Sequence, residues 1–133
     1  MQQQAKRDRK PAVPPEQDRW SPPPASECDE ETYHYFLDID AKYRITQRQR
    51  THDGQLVDYA VTLARLYPEG SWIEITCIDC CHGNVHRHDG PHYKSEPKII
   101  RPIFSQLDVQ QTFGAACDAV WDSYIEYVRD DFL

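Results

Sequence analysis

With 133 residues and a formal net charge of −7, the chain has room for one domain, and the acidic total argues against tight general binding to nucleic acid. No apolar run approaches membrane-spanning length and no charged-then-apolar start suggests a signal peptide, so a cytoplasmic protein is expected. Five cysteines, an odd number with an adjacent pair at 80 and 81, fit a reducing compartment better than a disulfide framework.

Residues 1–30 carry six of the ten prolines, including Pro14-Pro15 and Pro22-Pro23-Pro24, among charged residues and Gln. So little apolar surface does not offset the entropy of ordering, and a disordered proline-rich tail is predicted there. Trp20 is its one large apolar residue, read as a loosely held tail residue with docking on the domain as the alternative. Residues 31–133 form the single predicted domain.

Alternation then sets in. In Tyr43–Arg50, Tyr43 and Ile45 share one face while Arg44, Thr46, Arg48 and Arg50 share the other, the period of a half-buried strand. His52-Asp53-Gly54 supplies a hairpin turn. A second strand runs from Leu56 to Tyr67 with Val57, Tyr59, Val61 and Leu63 on one face. A third, Ser71–Asp79, is expected to turn Ile73, Ile75 and Cys77 inward. His82-Gly83-Asn84 reads as a turn, Val85–Asp89 as a short fourth strand and Lys98–Arg101 as a fifth.

From Ser105 onward the period lengthens. Ser105 or Asp108 caps a helix whose stripe is Val109, Phe113, Ala116, Val120, Tyr124, Tyr127 and Val128. That stripe is expected to pack on Val57, Val61, Ile73 and Ile75. The predicted fold is α+β, an antiparallel meander of four to five strands against one long C-terminal helix. Residues 105–133 hold one Lys/Arg against six Asp/Glu, so most of the acidity belongs to the helix. Lys42–Arg50, by contrast, has four cations and no anion, and Arg44 and Arg48 there are candidate substrate-binding residues.

Asp79-Cys80-Cys81-His82-Gly83-Asn84-Val85-His86-Arg87-His88 is the stretch with the densest chemistry, since four of six histidines fall between 82 and 92. Two imidazoles divide the roles of base and acid, an arginine steadies a phosphate, and a carboxylate fixes a tautomer. On that logic His82, His86, His88 and Asp79 are catalytic candidates without a cofactor, and Arg87 is a phosphate contact. The alternative cofactor is zinc, on His82, His86, His88 and Cys80, with His92 nearby. Cys77 and Cys117 read as small core residues, and nucleophilic cysteine chemistry has no supporting pattern.

At these residues the chain resembles the TumE-like toxins of bacterial toxin–antitoxin systems, through Asp79-x-x-His82-Gly83-x-x-His86-Arg87-His88 after a β-rich half and before a helix. It is also similar to uncharacterised actinobacterial and phage proteins with a Cys-His-Gly-x-Val-His-x-His element. Cys80 and Cys81 stand where the toxins carry Asn and its neighbour, and the proline-rich tail is extra. The resemblance implies an RNA-directed activity, roles for His82, His86, His88 and Asp79, and a helix-turn-helix antitoxin as partner. The other reading is a non-enzymatic protein-interaction domain, zinc-stabilised in one version. Oligomeric state is not legible in the sequence.

Overall fold

The computed structural model of the protein describes residues 20–90 and 96–131. The first nineteen residues of the predicted tail, and His92, lie outside the described residues. Six antiparallel strands form one sheet: β1 (Asp29–Phe36), β2 (Tyr43–His52), β3 (Gln55–Leu66), β4 (Trp72–Asp79), β5 (Asn84–Asp89) and β6 (Lys98–Pro102), followed by one long helix, α1 (Gln106–Asp131). Spatial order equals chain order, so the sheet is a meander. The α+β class and the C-terminal helix agree with the pattern in the sequence.

The strand count is corrected to six. The added strand is β1, paired to β2 from Asp29↔Thr51 to Phe36↔Arg44. All eight of its residues are exposed, so it has no buried stripe to betray it.

The helix covers one face of the sheet, centred on β3 and β4. Its inner side, Val109, Ala116, Val120 and Tyr124, is buried on Ile45, Tyr59, Val61, Leu63, Ile78 and Val85. Phe113, Tyr127 and Val128 pack partly buried beside them, so the predicted stripe holds. Ser105 Oγ accepts the Asp108 amide at 3.4 Å, and the Asp108 carboxylate reaches back to the Phe104 amide at 2.9 Å, which satisfies two donors at the helix start. Inside the core the Tyr59 hydroxyl meets Thr112 Oγ1 at 2.8 Å, so its burial leaves no polar orphan.

The predicted inward set on β4 holds for Ile75, which packs partly buried against the core, and is corrected at Cys77 by a bulge. Leu63 pairs with Thr76 but Ala64 pairs with Glu74, which leaves Ile75 as an extra residue. An extra residue reverses the alternation beyond it. Thr76 and Ile78 therefore take the helix side, almost completely buried, and Cys77 passes to the opposite, open face.

Trp20, within the predicted tail, packs partly buried against the core. Its amide donates to Ile103 O at 2.9 Å and its indole Nε1 to Val57 O at 3.4 Å. The folded structure thus begins ahead of residue 31, because one indole buries enough surface to hold the chain that carries it. Trp20→Ala is expected to cost about 2 kcal/mol, less than a fully buried Trp would. Urea denaturation checks this, and an unchanged midpoint would show that the contact contributes nothing.

Candidate functional site

The β4–β5 hairpin closes through Asn84 N–H to Cys81 O at 3.2 Å, with His82 at φ 56° and Gly83 at φ 77°. Two successive left-handed residues match the twist of the strands they join, and glycine takes the second at no steric cost. His82 is exposed on the turn, and its backbone carbonyl accepts Asn84 Nδ2 at 3.4 Å. The structure thus places His82 on the turn that joins the two strands.

That turn sets Asp79 opposite His86 and Cys77 opposite His88. Both pairs lie on the face away from the helix. The Asp79 carboxylate sits between the two rings: Oδ2 is 3.5 Å from His88 Nε2, and Oδ1 is 4.0 Å from His86 Nδ1. The ring centroids of His86 and His88 are 6.2 Å apart. Cys81 adds its thiol, which donates to Asp79 Oδ1 at 3.2 Å and stands 4.0 Å from His86 Nδ1.

Two other candidates leave this group. Cys80 is buried, its Sγ 3.4 Å from Asp58 Oδ1, and so is not a ligand beside the histidines. Arg87 alternates to the helix side, where it donates to both oxygens of Asp89 at 3.0 Å and to Ser123 Oγ at 2.6 Å. It ties sheet to helix, on the face opposite the two imidazoles. Cys81 is the member that sequence reasoning missed. Its only signal was its position two after Asp79, which in extended backbone returns a side chain to the same face.

A family model for a domain of unknown function, DUF7718, matches residues 28–130. The chain belongs to this family. No curated protein and no solved structure matches it. The DUF7718 match begins one residue before β1 and runs into the last turn of α1, so it takes in the sheet, the hairpin and the helix.

The open face of this DUF7718 sheet also carries the arginines of β2. Arg48 and Arg50 each place Nη1 close to Asp58 Oδ2, at 3.1 and 3.2 Å, and Arg50 Nε donates to Glu30 at 2.6 Å. Asp58 is buried, and two guanidinium groups offset the cost of dehydrating its charge. Hydrogen bonding to Arg50 holds the Glu30 carboxyl below the usual range. Arg48 is thus tied into the fold through Asp58. Arg44 differs. Its guanidinium lies over the Trp72 ring, 4.3 Å from the centroid, and its buried Nε has no acceptor among the described residues. Arg44, Thr46, Thr62, Ala64, Trp72 and Glu74 line a cleft of about 420 Å³. Thr62 Oγ1 donates to Cys77 Sγ at 3.3 Å, which links the cleft to the row of His88.

The thiols are not set up as nucleophiles. Burial pushes Cys77 up to about 11, and burial together with the Asp79 carboxylate pushes Cys81 up to about 12. Burial and Asp58 also raise Cys80. Reactive cysteines have the opposite surroundings, a cation or a helix N-terminus that favours thiolate. In the folded protein at pH 8, iodoacetamide is expected to modify the half-buried Cys28 well before Cys77 or Cys80. Mass spectrometry with and without urea reads the order, and fast labelling of Cys80 in the native state would contradict it.

Proposed function

We propose that this protein acts on RNA, with Asp79, His86 and His88 as its chemical group and the open sheet face as the surface that receives a single strand. The observation that carries this reading is the Asp79 carboxylate held between two imidazoles whose centroids are 6.2 Å apart. A carboxylate in that place favours the tautomers that turn a second nitrogen of each ring outward. For a phosphodiester lying over the outward nitrogens, one ring acts as the neutral base that takes the proton of the attacking hydroxyl, and the other, protonated on its outward nitrogen, gives that proton to the leaving oxygen.

The cleft on the same face supplies what a nucleotide chain needs next to that group. Arg44 offers guanidinium donors to a phosphate, and Trp72 offers an aromatic surface at the cleft wall. The charge distribution is compatible with this. The acidic side chains Asp118, Asp122, Glu126 and Asp130 belong to the helix, on the other layer of the fold. A helix-turn-helix antitoxin is the partner this reading expects. A cytoplasmic location is supported by five free cysteines, among them the adjacent and unbridged Cys80 and Cys81.

The second reading, a protein-interaction domain without catalysis, is favoured by a different observation. β6 lies at the sheet edge with Ile99 and Ile100 exposed at 59% and 52%, a strand edge on which another chain can pair.

Induced expression in a bacterial host separates the two. Growth arrest is expected from the intact chain, with at least tenfold recovery of colony count for the His86→Asn, His88→Asn double variant. Arg44→Ala is expected to weaken binding of single-stranded RNA about tenfold, the effect of losing one phosphate or stacking contact. Good yield without any growth defect, and no RNA cleaved by the purified protein, would sink the RNA-directed reading.

A further inference from the structure

We infer that Asp79, Cys81 and His86 form a binding site for one zinc-class transition-metal ion, with its fourth coordination position open to the uncovered face of the sheet. This goes beyond the RNA-directed reading and stands without it, because it concerns what the side chains bind and not what they do to a substrate.

The argument is geometric. Three donor atoms of three kinds converge: Asp79 Oδ1, Cys81 Sγ and His86 Nδ1 all lie within 4.8 Å of one another. The individual separations are 3.2 Å from oxygen to sulfur, 4.0 Å from oxygen to nitrogen and 4.0 Å from sulfur to nitrogen. Around a tetrahedral zinc ion, bond lengths of about 2.3 Å to sulfur and about 2.0–2.2 Å to nitrogen and oxygen set the donor–donor edges at roughly 3.4–3.6 Å. Each separation here is within about half an ångström of such an edge. Small χ rotations close that gap without moving the backbone.

The backbone that holds these donors is stiff. Asp79 and His86 are directly opposed across the hairpin, and Cys81 is the residue whose carbonyl closes the turn. A tight hairpin leaves little freedom in their relative positions, so most of the ordering cost is met by folding. The surroundings suit an ion as well. The side chains of His86 and Asp79 are 14% and 20% exposed, enough for an ion to enter and little enough to strengthen its attraction to the carboxylate. The second oxygen of Asp79 faces His88 Nε2 at 3.5 Å, the place of an outer partner that fixes how a ligating carboxylate points.

The donor set also states the chemistry of the ligand. A thiolate, an imidazole and one carboxylate oxygen select a borderline or soft divalent ion over magnesium or calcium, which take oxygen donors. Binding replaces the Cys81 thiol proton with the metal, so one proton is released to solvent for each ion bound. Cys80 and His82, which the sequence offers as ligands, have no part in this site: one is turned to Asp58 and the other is exposed on the turn.

The test uses the full untagged chain, stripped with chelator and titrated with Co²⁺. One equivalent is expected to bind, with a thiolate-to-cobalt charge-transfer band and the strong visible absorption of tetrahedral Co²⁺, and one equivalent of Zn²⁺ is expected to displace it. Cys81→Ser removes the charge-transfer band, and His86→Gln weakens binding at least tenfold. Cys80→Ser and His82→Gln change neither. Circular dichroism confirms that each variant is folded. Should Cys81→Ser not fold, the His86→Gln titration decides. Absence of a stoichiometric site, or a band that survives Cys81→Ser or vanishes with Cys80→Ser, would overturn the inference. The two readings share Asp79 and His86, but the titration reads metal alone and growth plays no part in it, so failure of the metal site and failure of the RNA-directed reading are told apart.

Discussion

In an antiparallel hairpin the turn decides which residues oppose each other, and a slip by one residue would send every side chain to the other face. His82 and Gly83 hold that decision in this protein. Both adopt left-handed backbone, and their turn places Asp79 across from His86. A histidine tolerates that conformation at a modest cost. The cost is repaid by the strand pairing the turn makes available. The sequence element His82-Gly83-x-x-His86-x-His88 is therefore two things at once, a turn and a pair of imidazoles that the turn aims.

A second constraint is that only one face of the sheet is covered. Period-two alternation then divides each strand into a set that packs on the helix and a set that meets solvent. The division explains why Arg87 and its neighbours His86 and His88 have different surroundings. The arginine joins the sheet to Ser123 of the helix, and the histidines flank Asp79 on the open side. It also explains why Arg48 and Arg50 are absorbed by Asp58. A carboxylate that faces the open side and is still buried needs cations above it, and the adjacent strand supplies them.

Much of this was legible in the residues. The alternation of β2 and β3, the Asp53-Gly54 turn and the three-and-four spacing of the helix all point to their observed states, because in each case burial of one side drives the element. β1 was illegible for the opposite reason: a strand exposed on both faces has no pattern to show. The bulge at Ile75 was illegible too, since an unpaired residue is a property of two strands together and not of either sequence alone. That one residue misassigns Cys77 and, by extension, the faces of Asp79 and Cys80. Within the cluster the histidine and aspartate types were readable, whereas the choice of Cys81 over Cys80 depended on the parity that the bulge resets.

Trp20 has a consequence of its own. Its amide is bonded to Ile103, whose amide is in turn bonded to Gly83, so a short run of backbone hydrogen bonds leads from the N-terminal segment to the turn beside Asp79 and His86. One indole-bearing residue thereby pins the start of the described chain to the end of the sheet where the chemistry is concentrated, so the packing of Trp20 and the geometry of the turn are set together.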